Sequence, residues 1–368
     1  MKNLNPYLRA PLCAILILTA LAWQPAMGAL KTWDGGGAPD GNWSNGLNWD
    51  NDTAPVAGDF LVFAGNVQTL TTNDFASDTI FRNVAFDSTA DAFTLSGNEV
   101  LLTNGLAMPD PDFVDLPSGN ANGGSITNFS ANTEAIALPI KLSPGHHNIT
   151  TAAGGALNFT GTFSRQKGAG VTFAVLGGNI NFNPSTGLAN VNGIIGGWAI
   201  TSNSWASLDG SGNVVAYSSF TDLSTGAIAN DSTLNTRLVS DTGAYTASGI
   251  LFNTILGQLT TARTLTITGT MKASPNGGIW GRNESATANL TISGGTISVN
   301  GGGELNLVAR PQTVNGAVLT IQSAIADDGA NPVSLNVRGN ITTSTTAKTY
   351  TGGTYIYQNG RINCNFNG

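Results

Sequence analysis

Charge is scarce in this 368-residue chain. Asp, Glu, Lys and Arg make up 10 % of it, against about 25 % in an average soluble domain. Glutamate occurs only as Glu99, Glu134, Glu284 and Glu304, and lysine only as Lys2, Lys31, Lys141, Lys167, Lys272 and Lys348. Exposed helix faces draw on Ala, Leu, Glu, Lys and Arg, so the shortage excludes an all-α fold or a helix-covered α/β sheet. The bases are dispersed and the net charge is -7, which argues against nucleic acid and anionic lipid as partners. Cysteine is nearly absent, with Cys13 and Cys364 alone.

The first 28 residues are expected to be a secretory signal peptide. Lys2 and Arg9 supply the basic start, Leu12 to Trp23 the apolar run, and Ala26-Met27-Gly28 the small residues before a cut at Ala29. Gln24-Pro25 ends the run short of the roughly 20 apolar residues that a spanning helix needs, and no second stretch reaches that length. Cleavage would leave Cys364 as the single thiol, so no intramolecular disulfide forms. Stability must then come from a core and backbone ladders, and Cys364 reads as an incidental residue near the chain end.

What is abundant is Gly, at 47 residues, with Thr, Asn and Ser, beside 41 % hydrophobic residues. Such a composition suits short strands joined by tight turns, and the spread of apolar residues argues against disorder. Residues 29–58 carry Trp33, Trp43 and Trp49 among Gly and Asn. This Trp/Gly-rich segment reads as an N-terminal cap over an apolar core, with a carbohydrate-stacking platform as the alternative. From 59 onward short strands follow one another: Phe60–Phe63, Ile80–Phe86, Phe93–Ser96 and Asn179–Asn183, each ending at a turn residue. Residues 108–124, rich in Pro, Asp and Gly, read as an insertion. Leu251, Ile255, Leu256 and Leu259 follow helical spacing, but Thr254, Thr260, Thr261 and Gly257 favour a strand region.

Repetition appears late in the chain. Leu265-Thr266-Ile267-Thr268-Gly269 recurs as Leu290-Thr291-Ile292-Ser293-Gly294, with an echo at Leu319-Thr320-Ile321. A strand–turn unit with a period in the twenties is the pattern of a stacked solenoid. One coil cannot bury its apolar face alone, so stacking is expected to set Leu over Leu and Ile over Ile. An antiparallel sandwich is the competing architecture.

Thr349-Tyr350-Thr351-Gly352-Gly353-Thr354-Tyr355-Ile356-Tyr357, running on to Ile362, resembles the autotransporter-associated β-strand repeat. The Trp/Gly opening, Phe86–Leu95, Asn192–Ala199 and Asp209–Ala216 are similar to other parts of exported proteins that carry this repeat, in the same order. The resemblance covers nearly the whole chain after residue 29. It implies an all-β fold, a right-handed parallel β-helix, exported and displayed at or beyond the outer membrane, with no catalytic residues. The family usually shows many repeats where one appears here, and Tyr355 stands where Thr is common. It often continues into an outer-membrane barrel or a basic-tailed anchor. Asn367-Gly368 ends the sequence before either, leaving a fragment, a truncated product or a freely secreted version as readings. Within the repeat, Gly352-Gly353 is expected to mark a corner or a close approach between coils. Tyr350, Tyr355 and Tyr357 are expected to stack along the solenoid.

Motifs of catalysis are absent: no nucleophile elbow, zinc-protease helix, cysteine pair or phosphate loop. His146-His147 follows Pro144-Gly145, which suggests a turn; on a strand the two rings would point to opposite faces and share no metal. Asp327-Asp328-Gly329 reads as a β-turn rather than a calcium site, which wants six to eight oxygens. Asp34, Asp40, Asp50 and Asp52 match no metal loop. Arg282 and Glu284 beside Trp280, and Arg310 near Glu304, are the local sets of mixed charge that an acid–base enzyme could use. No catalytic, cofactor or metal residue is assigned.

The reading is therefore a non-enzymatic, exported or surface-displayed β-helical passenger over 59–368, structural or adhesive, needing no cofactor. Its partners would be glycans or cell-surface components. A polysaccharide lyase or hydrolase and a non-catalytic glycan-binding module using Trp33, Trp43 and Trp49 are the alternatives.

Overall fold

The computed structural model describes residues 28–103, 124–152, 154–201, 203–282, 288–309, 319–343, 347–357 and 361–364. The expected signal peptide up to residue 27, and nearly all of the 108–124 insertion, lie outside them. Among the described residues there is no α-helix, and every regular element is a strand or a single 3-10 turn.

The N-terminal stack has three parallel sheets, visited in rotation. Phe60–Phe63 belongs to the first sheet, Leu70–Asn73 to the second and Thr79–Phe81 to the third; Asn83–Phe86 then returns to the first. Each strand pairs in parallel with its counterpart one round later. In the first sheet this sets Leu61 beside Val84, Val84 beside Ile126, Ile126 beside Ile149, and Ile149 beside Phe173. All five are buried. In the second sheet Leu95, Ile136, Phe159 and Phe182 form the corresponding ladder, with the Phe159 and Phe182 rings stacked at 4.5 Å. Strand side chains alternate between faces, so a parallel register keeps apolar residues stacked rung upon rung. The expected single strand Ile80–Phe86 is broken at Arg82. The Arg82 N–H bonds the Asp59 carbonyl at 3.0 Å, and the two halves go to different sheets.

At the start of this stack Leu30–Trp33 pairs in parallel with Phe60–Phe63. Trp33, Trp43 and Trp49 are fully buried. Trp33 and Trp49 meet edge to face at 5.2 Å, and Trp43 lies 5.5 Å from Phe63. The Trp43 indole N–H donates to Thr71 Oγ1, and that of Trp49 to the Trp43 carbonyl, so the rings are buried with those donors satisfied. None of the three offers a face to solvent.

Residues from Thr221 onward form a second stack of two parallel sheets, and among the described residues no strand pairing joins its sheets to those of the first. The single stack expected over 59–368 is thus divided. One sheet runs Thr221–Leu223, Asn235–Leu238, Leu251–Gly257, Thr270–Gly281, Gly303–Ala309, Val333–Arg338 and Thr354–Ile356. The other includes Arg263–Thr268, Leu290–Ser293, Leu319–Ile321 and Asn340–Thr343. Leu251–Gly257 is a strand, as its Thr and Gly content predicts. Leu290 pairs with Leu319 as the repeat implies, but Leu265 pairs with Ile292 and Arg263 with Leu290. The two-residue shift preserves the inward face because side chains alternate with period two. The competing antiparallel sandwich is not observed. Among the described residues, antiparallel pairing between strands is confined to Ala206–Leu208 with Val214–Ala216, in the segment between the stacks.

Each stack has its own apolar core, and a third cluster of Ile194, Ile200, Trp205, Leu256, Trp280 and Val308 lies between them.

Candidate functional site

The joint between the stacks holds a buried polar network. Asn235 meets Asn192, and from Trp280 onward the contacts run in reverse order: Trp280 meets Trp205, Glu304 meets Arg165, and Arg338 meets His146. The second stack therefore runs back along the first.

Arg165 ends the Phe163–Arg165 strand. Its guanidinium bonds the Glu304 carboxylate, donates to Asn276 Oδ1 and to the Ala169 carbonyl at 3.1 Å each, and lies 4.6 Å over the Trp198 ring. The second Glu304 oxygen accepts from the Gly168 N–H at 2.7 Å and from Asn336 Nδ2 at 3.0 Å. Burial pushes the Glu304 carboxyl upward, but Arg165, the Gly168 N–H and Asn336 together hold it below the ordinary range. Gly168 and Gly170 let the second stack approach. Side chains there would collide with the rings of Tyr355 and Tyr357 respectively, and Gly168 has φ +83°.

Farther along, Arg338 Nη2 donates to His146 Nε2 at 2.8 Å and also bonds Thr172 Oγ1. Thr172 Oγ1 lies 2.7 Å from the same imidazole nitrogen. Arginine is a donor only, so Nε2 accepts and the neutral ring carries its proton on Nδ1. The Tyr357 ring stacks on His146 at 6.2 Å. Burial, then the charge of Arg338 and of His147, hold His146 well below the ordinary histidine range. Burial lowers Arg338 to about 10, opposed by Tyr357. Burial and the Glu304 charge push the Tyr357 phenol upward.

The histidine pair is corrected in one respect. Both lie within the strand Gly145–Thr151, not a turn. They point to opposite faces, with His147 Nε2 bonded to the Ser143 carbonyl at 2.7 Å. Tyr355 and Tyr357 are likewise corrected: their rings lie against Gly168 and Gly170 of the other stack, where Tyr357 also meets His146. Tyr350 bonds Thr354 through its hydroxyl at 2.6 Å. Gly353 has φ +92°, and a side chain on Gly352 would strike the Val333 carbonyl, so the glycine pair combines both expected features.

The acidic candidates serve turns and backbone. Asp327 accepts from Val333 and Thr351 N–H groups, and Asp328 from Lys272 and the Gly301 N–H. The Asp328 and Asn331 backbones pair with each other across Gly329. Asp34 accepts from Gly36, Asp40 from Asn42 and Asp50 from Thr32. Glu304 pairs with Arg165 across the joint; Arg310 and Glu284 lie outside the described residues, and Trp280 packs in the joint. A pocket of about 510 Å³ lies beside the joint segment, lined by Phe182, Pro184, Leu188, Leu208 and the turn Asp209–Gly212. Asp209 is its one ionisable lining group, held low by bonds from Asn213 and Ser211. Sequence reading missed Arg165, Arg338 and Asn336, because no local pattern marks residues that meet only through the fold-back.

Among the described residues no helix is long and apolar enough to cross a membrane. No family model matches the chain, and no solved structure matches it. An alignment 287 residues long, covering 72 % of this chain, is 30 % identical to a protein of Brucella suis biovar 1 (strain 1330) named adhesin BmaC autotransporter. The chain spans 8 % of that relative's length. Its similarity is to one segment of a much longer autotransporter adhesin.

Proposed function

We propose that this chain is a non-enzymatic, exported passenger segment, a pair of right-handed parallel β-helices that extends from the cell surface and makes adhesive contacts. The observation that carries this reading is the 72 % of the chain that aligns with an autotransporter adhesin. The parallel ladders support it, because they build length from repeated rungs. In this reading residues 1–28 are the export signal and 29–58 close the first helix, where three buried tryptophans cover its end. The ligands are glycans or other cell-surface components.

Intact cells producing the chain test the reading. External protease is expected to remove it without lysis, and the purified, fluorescently labelled chain is expected to bind host-type cells saturably. Full protection from external protease together with absence from the medium contradicts export. Binding no greater than that of a labelled control protein contradicts adhesion.

A further inference from the structure

The joint holds two bases that no carboxylate neutralises among the described residues. His146 faces Arg338 from the Val333–Arg338 strand, Thr172 from Ala169–Val175, and Tyr357 from just beyond Thr354–Ile356. His147, next on its own strand, faces the opposite way and bonds Ser143. The Arg165–Glu304 pair lies beside this group, and its members satisfy each other. Among the described residues His146 Nδ1 has no hydrogen-bond partner, and the Tyr357 hydroxyl is also buried without one.

We propose that His146 and Arg338 form an acid-released latch: a proton from solvent bound at His146 Nε2 frees the second stack from the first while each stack keeps its own core. At neutral pH the imidazole nitrogen accepts from the guanidinium. A proton on that nitrogen replaces an acceptor with a donor, 2.8 Å from another donor, and sets two cations together away from water. No nearby group among those named can absorb the charge. The two cores are separate clusters, so parting the joint need not unfold either.

The sign follows from burial. The closed joint holds His146 below its ordinary value of 6.5, so the open form binds the proton more readily. The latch is fully engaged above about pH 6.5 and loosens as the pH falls, with an opening constant that rises up to about tenfold per pH unit. Glu304 is lowered from 4.5, so its own loss comes at more acidic pH. This inference concerns the joint and does not depend on the adhesive reading.

Hydrogen exchange on the intact chain tests it. The Gly168 N–H is bonded to Glu304 and the Gly197 N–H to the Asn276 carbonyl, both across the joint. After correction for intrinsic rates, these two amides are expected to lose about tenfold or more of their protection between pH 7.0 and 5.0. Amides of Leu290–Ser293, inside the second stack, are expected to hold. His146→Gln, which cannot charge, is expected to abolish the loss. Arg338→Met, a second variant should the first not fold, is expected to reduce it. The proposal is overturned if the wild-type joint keeps its protection at pH 5.0, if either variant opens like wild type, or if both cores lose protection together with the joint.

Discussion

Arg165 and Glu304 form a buried ion pair between residues 139 positions apart, one from each stack. Burying two charges costs several kcal/mol, and the pair is tolerated only because further donors complete it. Here Gly168 and Asn336 do so. Removing one partner leaves the other charge uncompensated. Glu304→Ala is expected to lower unfolding free energy by about 3 kcal/mol. Replacing both, as Arg165→Met with Glu304→Leu, is expected to lose less than either single change. Urea denaturation of the three variants checks this.

Ile149 lies between Ile126 and Phe173 in the first sheet and is buried. Ile149→Ala opens a cavity in a continuous ladder and is expected to cost about 2–5 kcal/mol. Val215→Ala, at an exposed position, is expected to change stability by less than about 0.5 kcal/mol. Thermal and urea unfolding of both variants measure the contrast.

Glu134 is buried in the N-terminal stack, where Ser130 Oγ and the Phe93 N–H each donate to it at 2.7 Å. Burial nevertheless raises it to about 7. A carboxyl raised above its unfolded value contributes stability that is fully present below about pH 4.5 and is lost as the pH climbs through 7. Stability is expected to fall from pH 5 to pH 8 by about 3 kcal/mol from this residue. In Glu134→Gln that slope is expected to flatten, read as urea midpoints across the same range. The direction is opposite to that of the His146 latch, so the two effects separate.

Gly170 faces the Tyr357 ring across the joint, while Gly210 faces open space. Gly170→Ala is expected to displace Tyr357 from His146 and to raise exchange at the Gly168 amide. Gly210→Ala is expected to leave that amide unchanged. Residue-resolved hydrogen exchange distinguishes them.

Much of the strand architecture was legible because its physics is local and periodic. Alternating segments such as Asn179–Asn183, turn residues at their ends and the recurring Leu-Thr-Ile units all act within one rung or between neighbours. The burial of Trp33, Trp43 and Trp49 was legible from their setting among glycines. The two-residue shift that pairs Leu265 with Ile292 was not, since either register keeps the same face inward. The fold-back was not legible either. Its contacts join Arg165 to Glu304 and His146 to Arg338, and charged residues so far apart carry no spacing signal. Tyr357 appeared to belong to its own repeat because sequence cannot show a ring crossing to another stack.

Thr72 and Ser96 give the most direct test of parallel rungs. They are register partners on adjacent rungs, with hydroxyl oxygens 3.3 Å apart. Neighbouring strands lie about 4.8 Å apart, within reach of a disulfide. With Cys364 changed to Ser, the pair Thr72→Cys and Ser96→Cys is expected to cross-link nearly completely under mild oxidation, read by mass spectrometry of the peptides. Two free thiols in the folded protein, with cross-links forming only in a register set by antiparallel pairing, would contradict the stacked-rung architecture.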